Sequence, residues 1–231
     1  MTLQEKILNW YSTNKRSLPW RETKDPYRVW ISEIILQQTK VVYGIKYYNT
    51  FITKFPTIHD LAKSDQQTIL NLWQGLGYYN RAINLYHTAK FISKKFNGKF
   101  PTKFNELIKL KGIGDYTASA ISSICFNENI PVVDGNVYRV LSRYFGINSP
   151  INRSSTFKIF KSKASELIST VKVSGDYNQA IMEFGALQCT PKPKCSQCVL
   201  SNLCFAYQHN KVNELPVKLK RKKTKTRYFN Y

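Results

Sequence analysis

The sequence predicts an all-α chain, and three observations carry that reading. Apolar residues recur at helical spacing through most of the 231 residues. Clusters of Gly, Pro, Asn and Asp (LPW, DPY, KFP, NGKFP, NSP, SGDY) fall between these blocks and keep each segment short. The one stretch that reads as a strand, VVYGIKYY, has no evident pairing partner.

In chain order, Leu3, Ile7, Leu8 and Tyr11 form the first helical face, and Tyr27, Ile31, Ile34 and Ile35 the second. Leu107, Ile108 and Leu110 lead into the hairpin LKGIGD, and Ala118, Ile121 and Ile124 follow it. Val137, Val140, Leu141 and Tyr144 make a further face, and Ala180, Ile181 and Phe184 a later one. There is no internal repeat. The segment Val217–Tyr231 carries seven cations and no acid, and is expected to be a disordered basic tail.

The length suits one large domain or two small ones. Hydrophobic residues make up 42% and aromatics 14%, a globular rather than a disordered composition. No apolar run is long enough to span a membrane, and the N-terminus lacks a basic-then-apolar leader, so a soluble protein of the cell interior is expected. Lys and Arg number 35 against 14 Asp and Glu, a net charge of +21. The body stays basic without the tail. Part of that excess is compositional, in a chain rich in Lys, Asn and Ile, but a field of this sign favours a polyanion, most simply nucleic acid.

In LKGIGD, Gly112 and Gly114 allow backbone angles that other residues resist and a close approach of phosphate. Amides at the start of the following helix, from about Asp115, then favour an anion. The pattern reads as a helix-hairpin-helix, a sequence-independent grip on a DNA backbone, or else as an ordinary two-glycine connection; the charge and the flanking helices favour the first.

Four of the five cysteines fall within sixteen residues, as Cys189-x5-Cys195-x2-Cys198-x5-Cys204. Such spacing in an intracellular chain points to metal rather than disulfides. With one close pair and two outlying thiols it favours a [4Fe–4S] cluster over zinc, which stays as the alternative. Cys125, alone in ISSICF, reads as a small hydrophobe.

Two carboxylates stand out in an acid-poor chain. Glu33 lies in VWISEIILQQT, a helix apolar nearly all round and therefore expected to be buried. It is either an acid with a raised pKa or the partner of an arginine such as Arg21. Asp134, in PVVDGNVYRVLSRYF, directly precedes a helix and is expected to cap it and stay ionised. One protonated and one ionised carboxyl is what cleavage of a glycosidic bond requires.

Taken together, LPWR (18–21), DPYRVWISEIILQQT (25–39), LWQGLGYYNRA (72–82), LKGIGDYTASAI (110–121), VVDGNVYRVLSRYFG (132–146), YNQAIMEFGALQC (177–189) and the cysteine loop resemble the helix-hairpin-helix base-excision DNA glycosylases. Within them the chain is most similar to the adenine-DNA glycosylases (MutY type), from about Leu3 to Leu219. The resemblance implies a two-lobed fold: a helical barrel over residues 23–124 ending in the hairpin, and a second lobe joining 1–22 to 125–216 with the [4Fe–4S] cluster on Cys189, Cys195, Cys198 and Cys204. It implies Glu33 as the acid that protonates N7 of a flipped-out adenine and Asp134 as the stabiliser of the sugar cation. Tyr116 stands where strand-cleaving relatives carry a lysine, which implies a mainly monofunctional enzyme using water.

It further implies Gln38 and Tyr78 as residues that fill and pry the base stack, Thr39 beside them, and Trp20, Arg21, Val41 and Gln179 around the adenine. Gly112 and Gly114 would grip the backbone, with a monovalent cation at the hairpin. The partner implied is double-stranded DNA holding adenine opposite 8-oxoguanine or guanine, bound by a monomer in the cytoplasm at the nucleoid. The sequence departs from the family pattern in a first cysteine gap one residue short, and in stopping at Tyr231 where such enzymes continue into a Nudix-like domain, so weaker 8-oxoguanine recognition is expected. The alternatives are a thymine or uracil mismatch glycosylase of the same superfamily and a DNA-binding module without catalysis.

Overall fold

The computed structural model describes residues 1–219, so most of the expected basic tail lies outside the described residues. Among these the chain is helical and contains no strand. The helices are α1 (Leu3–Asn14), α2 (Pro26–Leu36), α3 (Val41–Lys54), α4 (Ile58–Lys63), α5 (Gln66–Leu72), α6 (Asn80–Lys95), α7 (Phe104–Leu107), α8 (Asp115–Phe126), α9 (Gly135–Phe145), α10 (Thr156–Ile168), α11 (Ser174–Leu187) and α12 (Phe205–Gln208). None is long and apolar enough to cross a membrane.

Local chemistry sets the boundaries. Thr2 and Glu5 form a capping box that opens α1. Asp25 caps α2 through the Tyr27 amide, and Pro26 takes the first helical position, where its missing N–H costs nothing. The run VVYGIKYY is helical, not extended: Gly44, Tyr48 and Phe51 recur at helical spacing and form the buried face of α3, so period 3.6 overrides β-propensity. SGDY is likewise no break. It forms the first turn of α11, where Gly175 lies against α8; a Cβ there would stand 2.7 Å from the Ile124 Cα.

The core forms two clusters. One gathers Leu18, Trp20 and the buried faces of α2 through α8, with Trp30, Phe51 and Trp73 at its centre. The other gathers Leu3, Ile7 and Tyr11 with α9, α10, α11 and Leu200. Trp30, Trp73, Phe51, Phe160 and Phe184 are fully buried, and truncating any of them to Ala would cost roughly 3–5 kcal/mol. Met182 packs against both clusters. Cys125 packs on the first, and burial pushes its thiol up to about 12.

Candidate active site

The hairpin joins α7 to α8. Gly112 is in the left-handed region (φ +78), and a Cβ there would meet the Asn84 Cβ at 2.7 Å, so this position requires glycine twice over. Gly114 is different: its backbone is extended (φ −92, ψ −177), and it caps α8 with open space around it. With no side-chain cap, the first-turn amides of α8 are left for an outside acceptor.

Tyr116, in that first turn, points back toward α2. Glu33 is 93% shielded from solvent within α2, whose neighbours Val29, Trp30, Ile31, Ile34 and Ile35 are all buried. Burial raises its pKa to about 7. The Tyr116 hydroxyl opposes that shift, the negative charge of Asp134 adds to it, and Arg21 opposes it weakly. Arg21 is not its ion-pair partner: it donates to Glu183 through Nη1 (2.9 Å) and Nη2 (2.8 Å). Arg16 holds the same carboxylate from its backbone amide (3.0 Å) and Nε (2.8 Å). Burial alone would raise the pKa of Glu183; these bonds overcome it and hold the carboxyl down at about 2. The chain thus sets one buried carboxyl high and another low.

Asp134 caps α9 as its place in the sequence predicts, accepting from the amides of Asn136 (2.9 Å) and Val137 (2.8 Å) and from Asn136 Nδ2 (2.8 Å). Burial nevertheless shifts its pKa upward against those bonds and against Arg139, so its environment favours ionisation less than the helix terminus alone would. Tyr116 is held well above the usual phenol range by burial and by the charges of Glu33 and Asp134, and stays a neutral donor.

One cavity of about 240 Å³ collects Glu33, Asp134 and Tyr116 with Trp20, Arg21, Thr39, Val41 and Gln179. An adjoining opening is lined by Glu33, Asp134 and Tyr116 again, with Gln38 and Gly114. Trp20 stacks edge-on against Tyr48 (5.3 Å). Gln179 accepts from the Tyr11 hydroxyl through Oε1 (3.2 Å), which leaves its amide N–H₂ without a partner among the described residues. Tyr78 lines neither space: it is exposed, with its ring beside the Arg81 guanidinium. Gly112 lies on the far side of the hairpin, against Asn84.

Sequence reasoning missed Glu183, Asn136 and Met182, all of which line the cavity. Glu183 carried a usable signal: an acid in the apolar run QAIMEFGAL of an acid-poor chain, the same signal that marks Glu33. Asn136 carried none, since its role depends on Arg139, which donates to Asn136 Oδ1 (2.8 Å) and to the Cys189 carbonyl (2.6 Å).

The four loop cysteines are free thiols. Cys189 follows α11, and Cys195, Cys198 and Cys204 sit at the ends of two 3₁₀ turns, Cys195–Gln197 and Ser201–Leu203. Burial raises the pKa values of Cys195, Cys198 and Cys204, and the charges of neighbouring loop cysteines add to that shift. Among the described residues, however, no three His, Cys, Asp or Glu side chains are drawn together as one metal ion requires. Arg143, 4% exposed, faces the loop: it donates to Cys189 Sγ (3.5 Å) and the Thr190 and Pro191 carbonyls (2.6 and 3.1 Å). It has no carboxylate partner among the described residues.

Residues 31–169 match the model of the HhH-GPD superfamily base excision DNA repair proteins. The chain is 48% identical over 221 residues to an adenine DNA glycosylase of Buchnera aphidicola subsp. Schizaphis graminum, covering 94% of this chain and 62% of that one. It is 40% identical over 219 residues to the adenine DNA glycosylase of Homo sapiens, covering 90% and 40%. It thus spans under two thirds of the length of these curated relatives. Among solved structures, it is 32% identical to a thermostable thymine-DNA glycosylase (TM-score 0.81, covering 89% and 95%). An endonuclease III–DNA complex shares the fold at 21% identity (TM-score 0.73, covering 90% and 94%). The chain therefore belongs to the HhH-GPD superfamily of base excision DNA repair proteins.

Proposed function

We propose that the chain hydrolyses the N-glycosidic bond of adenine mispaired with 8-oxoguanine or guanine in duplex DNA, leaving an abasic site. The observation that carries this reading is the pair of carboxyls, Glu33 and Asp134, facing one cavity of about 240 Å³. That is smaller than the roughly 300–1,000 Å³ of drug-sized sites and on the scale of one flat ring system.

Glu33, at about 7, keeps its proton in roughly half of the molecules at neutral pH, and this protonated fraction delivers it to the leaving base. Asp134, fixed by two backbone amides, supplies negative charge beside the oxocarbenium-like sugar. Tyr116 is a phenol, which forms no Schiff base with the sugar, so water completes the reaction and the strand is not cut by this route. Gln179's free amide presents a donor to a purine edge. Gln38 and Tyr78 act on the base stack, and the hairpin amides hold the phosphate backbone, with a monovalent cation on the hairpin carbonyls. The two core clusters follow a barrel lobe over 23–124 and a second lobe from 1–22 and 125–216, except that Leu18, Trp20 and Val132 pack in the first cluster; the working unit is a monomer in the cytoplasm at the nucleoid.

Cys189, Cys195, Cys198 and Cys204 supply the four thiol donors a [4Fe–4S] cluster takes, as free thiols on one loop beside a buried arginine that has no carboxylate to neutralise it among the described residues. When bound, the cluster would cross-link the loop after α11 to itself, across residues 189–204, beside the Arg139 and Arg143 bonds that tie this loop to α9.

The likeness to a thymine-DNA glycosylase favours thymine or uracil opposite guanine as a second reading. Single-turnover base release separates the two, using duplexes with A opposite 8-oxoguanine, A opposite G, and T or U opposite G. Adenine release, lost in Glu33→Gln while binding persists, is the expected result. Thymine or uracil release in its place would overturn the substrate assignment.

A further inference from the structure

We infer that Arg81 is a positioning residue that locks the loops carrying Gln38 and Tyr78 into one rigid wedge. The inference rests on the reading that these two residues act on the base stack.

Gln38 (φ 58) and Tyr78 (φ 48) both occupy the left-handed region, which strains a non-glycine residue and persists only where the surroundings enforce it. Both side chains are exposed, so neither is held there by its own burial. They lie on separate loops, one after α2 and one between α5 and α6.

A single guanidinium joins those loops. Arg81, in the first turn of α6, donates through Nη1 to the carbonyls of Ile34 (2.8 Å), Ile35 (3.2 Å) and Gln37 (2.6 Å). Through Nη2 it donates to the carbonyls of Leu76 (3.1 Å) and Gly77 (3.3 Å). Its plane lies over the Trp73 ring at 5.1 Å and the Tyr78 ring at 5.8 Å. No carboxylate pairs with it among the described residues, and its Nε has no partner there.

The last carbonyls of a helix lack intrahelical donors, and the helix end is negative; α2 has no glycine cap, and Arg81 supplies the cation and donors instead. The same fork fixes the carbonyl immediately before Gln38 and the one immediately before Tyr78. Only a planar five-donor group does both at once; a lysine ammonium, with three donors from one point, does not. Arg81 touches neither reacting carboxyl. Its loss should therefore impair base extrusion and spare both DNA binding and the acid.

Base extrusion can be read directly. In a Glu33→Gln background, the fluorescence of 2-aminopurine placed opposite 8-oxoguanine is measured at saturating protein, with Arg81, Arg81→Lys and Arg81→Gln compared. Circular dichroism melting confirms that each variant is folded; Arg81→Lys keeps the charge and the apolar stem and is the conservative variant. The expected result is at least a fivefold smaller fluorescence rise in both variants, with Kd for the duplex changed by less than threefold. A rise of undiminished size in Arg81→Lys, or no rise with Arg81 itself, overturns the inference. An intact rise in an otherwise wild-type chain that releases no adenine would reject the substrate reading and leave the wedge standing.

Discussion

Arg21 grips Glu183 with two bonds of 2.9 and 2.8 Å, and so leaves Glu33 with no ion pair among the described residues. The local sequence left open whether Glu33 is neutralised by an arginine or by a proton. Glu183 decides it by taking the arginine. Burial pushes both buried glutamates of this site upward; Glu33, with the charge of Asp134 adding to burial, ends at about 7, and Glu183, with Arg16 and Arg21 bonded to it, ends at about 2.

The first prediction follows from the direction in which Glu33 is displaced. Its folded pKa, about 7, exceeds its ordinary 4.5, so the folded chain binds the extra proton between those values. Stability therefore falls as pH rises from 4.5 through 7, and the loss is complete above 7. Glu33→Gln should raise the Tm at pH 8 and leave it nearly unchanged at pH 4. The upper bound is about 3 kcal/mol, since each tenfold change in proton affinity is worth about 1.4 kcal/mol. Base release should fall on the alkaline side of pH 7, as the acid loses its proton. Denaturation at the two pH values and a pH–rate profile check both; a Tm gain equal at pH 4 and pH 8 would contradict the assignment.

Glu183 predicts the reverse. Its folded pKa is depressed, so its contribution is present above 4.5 and is lost as pH falls toward about 2. Glu183→Gln should cost roughly 3 kcal/mol at pH 7, since it strands Arg21 and Arg16 with weakened partners. The half-exposed Arg16 end contributes the smaller part. Urea unfolding at pH 7 and pH 3 should show the deficit shrinking at the lower value.

Asp134 serves as both cap and charge, and these separate by substitution. Asp134→Asn keeps an acceptor for the Asn136 and Val137 amides and should unfold within about 0.5 kcal/mol of the parent. Asp134→Ala should lose about 1 kcal/mol. Both should lose base release by several orders of magnitude. Retained activity in Asp134→Asn would show that its charge is not needed.

How much of this was legible beforehand depends on the range of the interaction. The helices, the Asp134 cap and the burial of Glu33 come from neighbours a few residues away, and period and capping chemistry expose them. VVYGIKYY admitted a strand as well as a helix because β-branched and aromatic residues are locally ambiguous; only Gly44, Tyr48 and Phe51 meeting the core settles it. The Glu183–Arg21 pair spans 162 residues and the Arg139–Cys189 bond 50, and no local pattern announces either. Gly114 was read as conformationally special, but its backbone is extended, and it is the missing side chain that matters.

The last prediction uses two glycines in α11 that do the same packing work at different places. A Cβ at Gly175 would stand 2.7 Å from the Ile124 Cα, in the later part of α8. A Cβ at Gly185 would stand 2.7 Å from the Asn136 Cβ and 2.9 Å from its carbonyl oxygen, at the first turn of α9. Close-packed helices do not absorb such overlaps, so each alanine should cost roughly 1–3 kcal/mol by overpacking. Their effects on base release should differ. Gly175→Ala pushes on Ile124, which lines the cavity but makes no hydrogen bond to either carboxyl. Gly185→Ala pushes on the residue that holds Asp134 through Nδ2, and whose Oδ1 holds Arg139. Displacement of a reacting group by about 1 Å is enough for a roughly hundredfold loss. Single-turnover release should therefore fall at least tenfold further in Gly185→Ala than in Gly175→Ala at matched stability. Equal losses would mean that Asp134 is positioned by its backbone cap alone and draws nothing from Asn136.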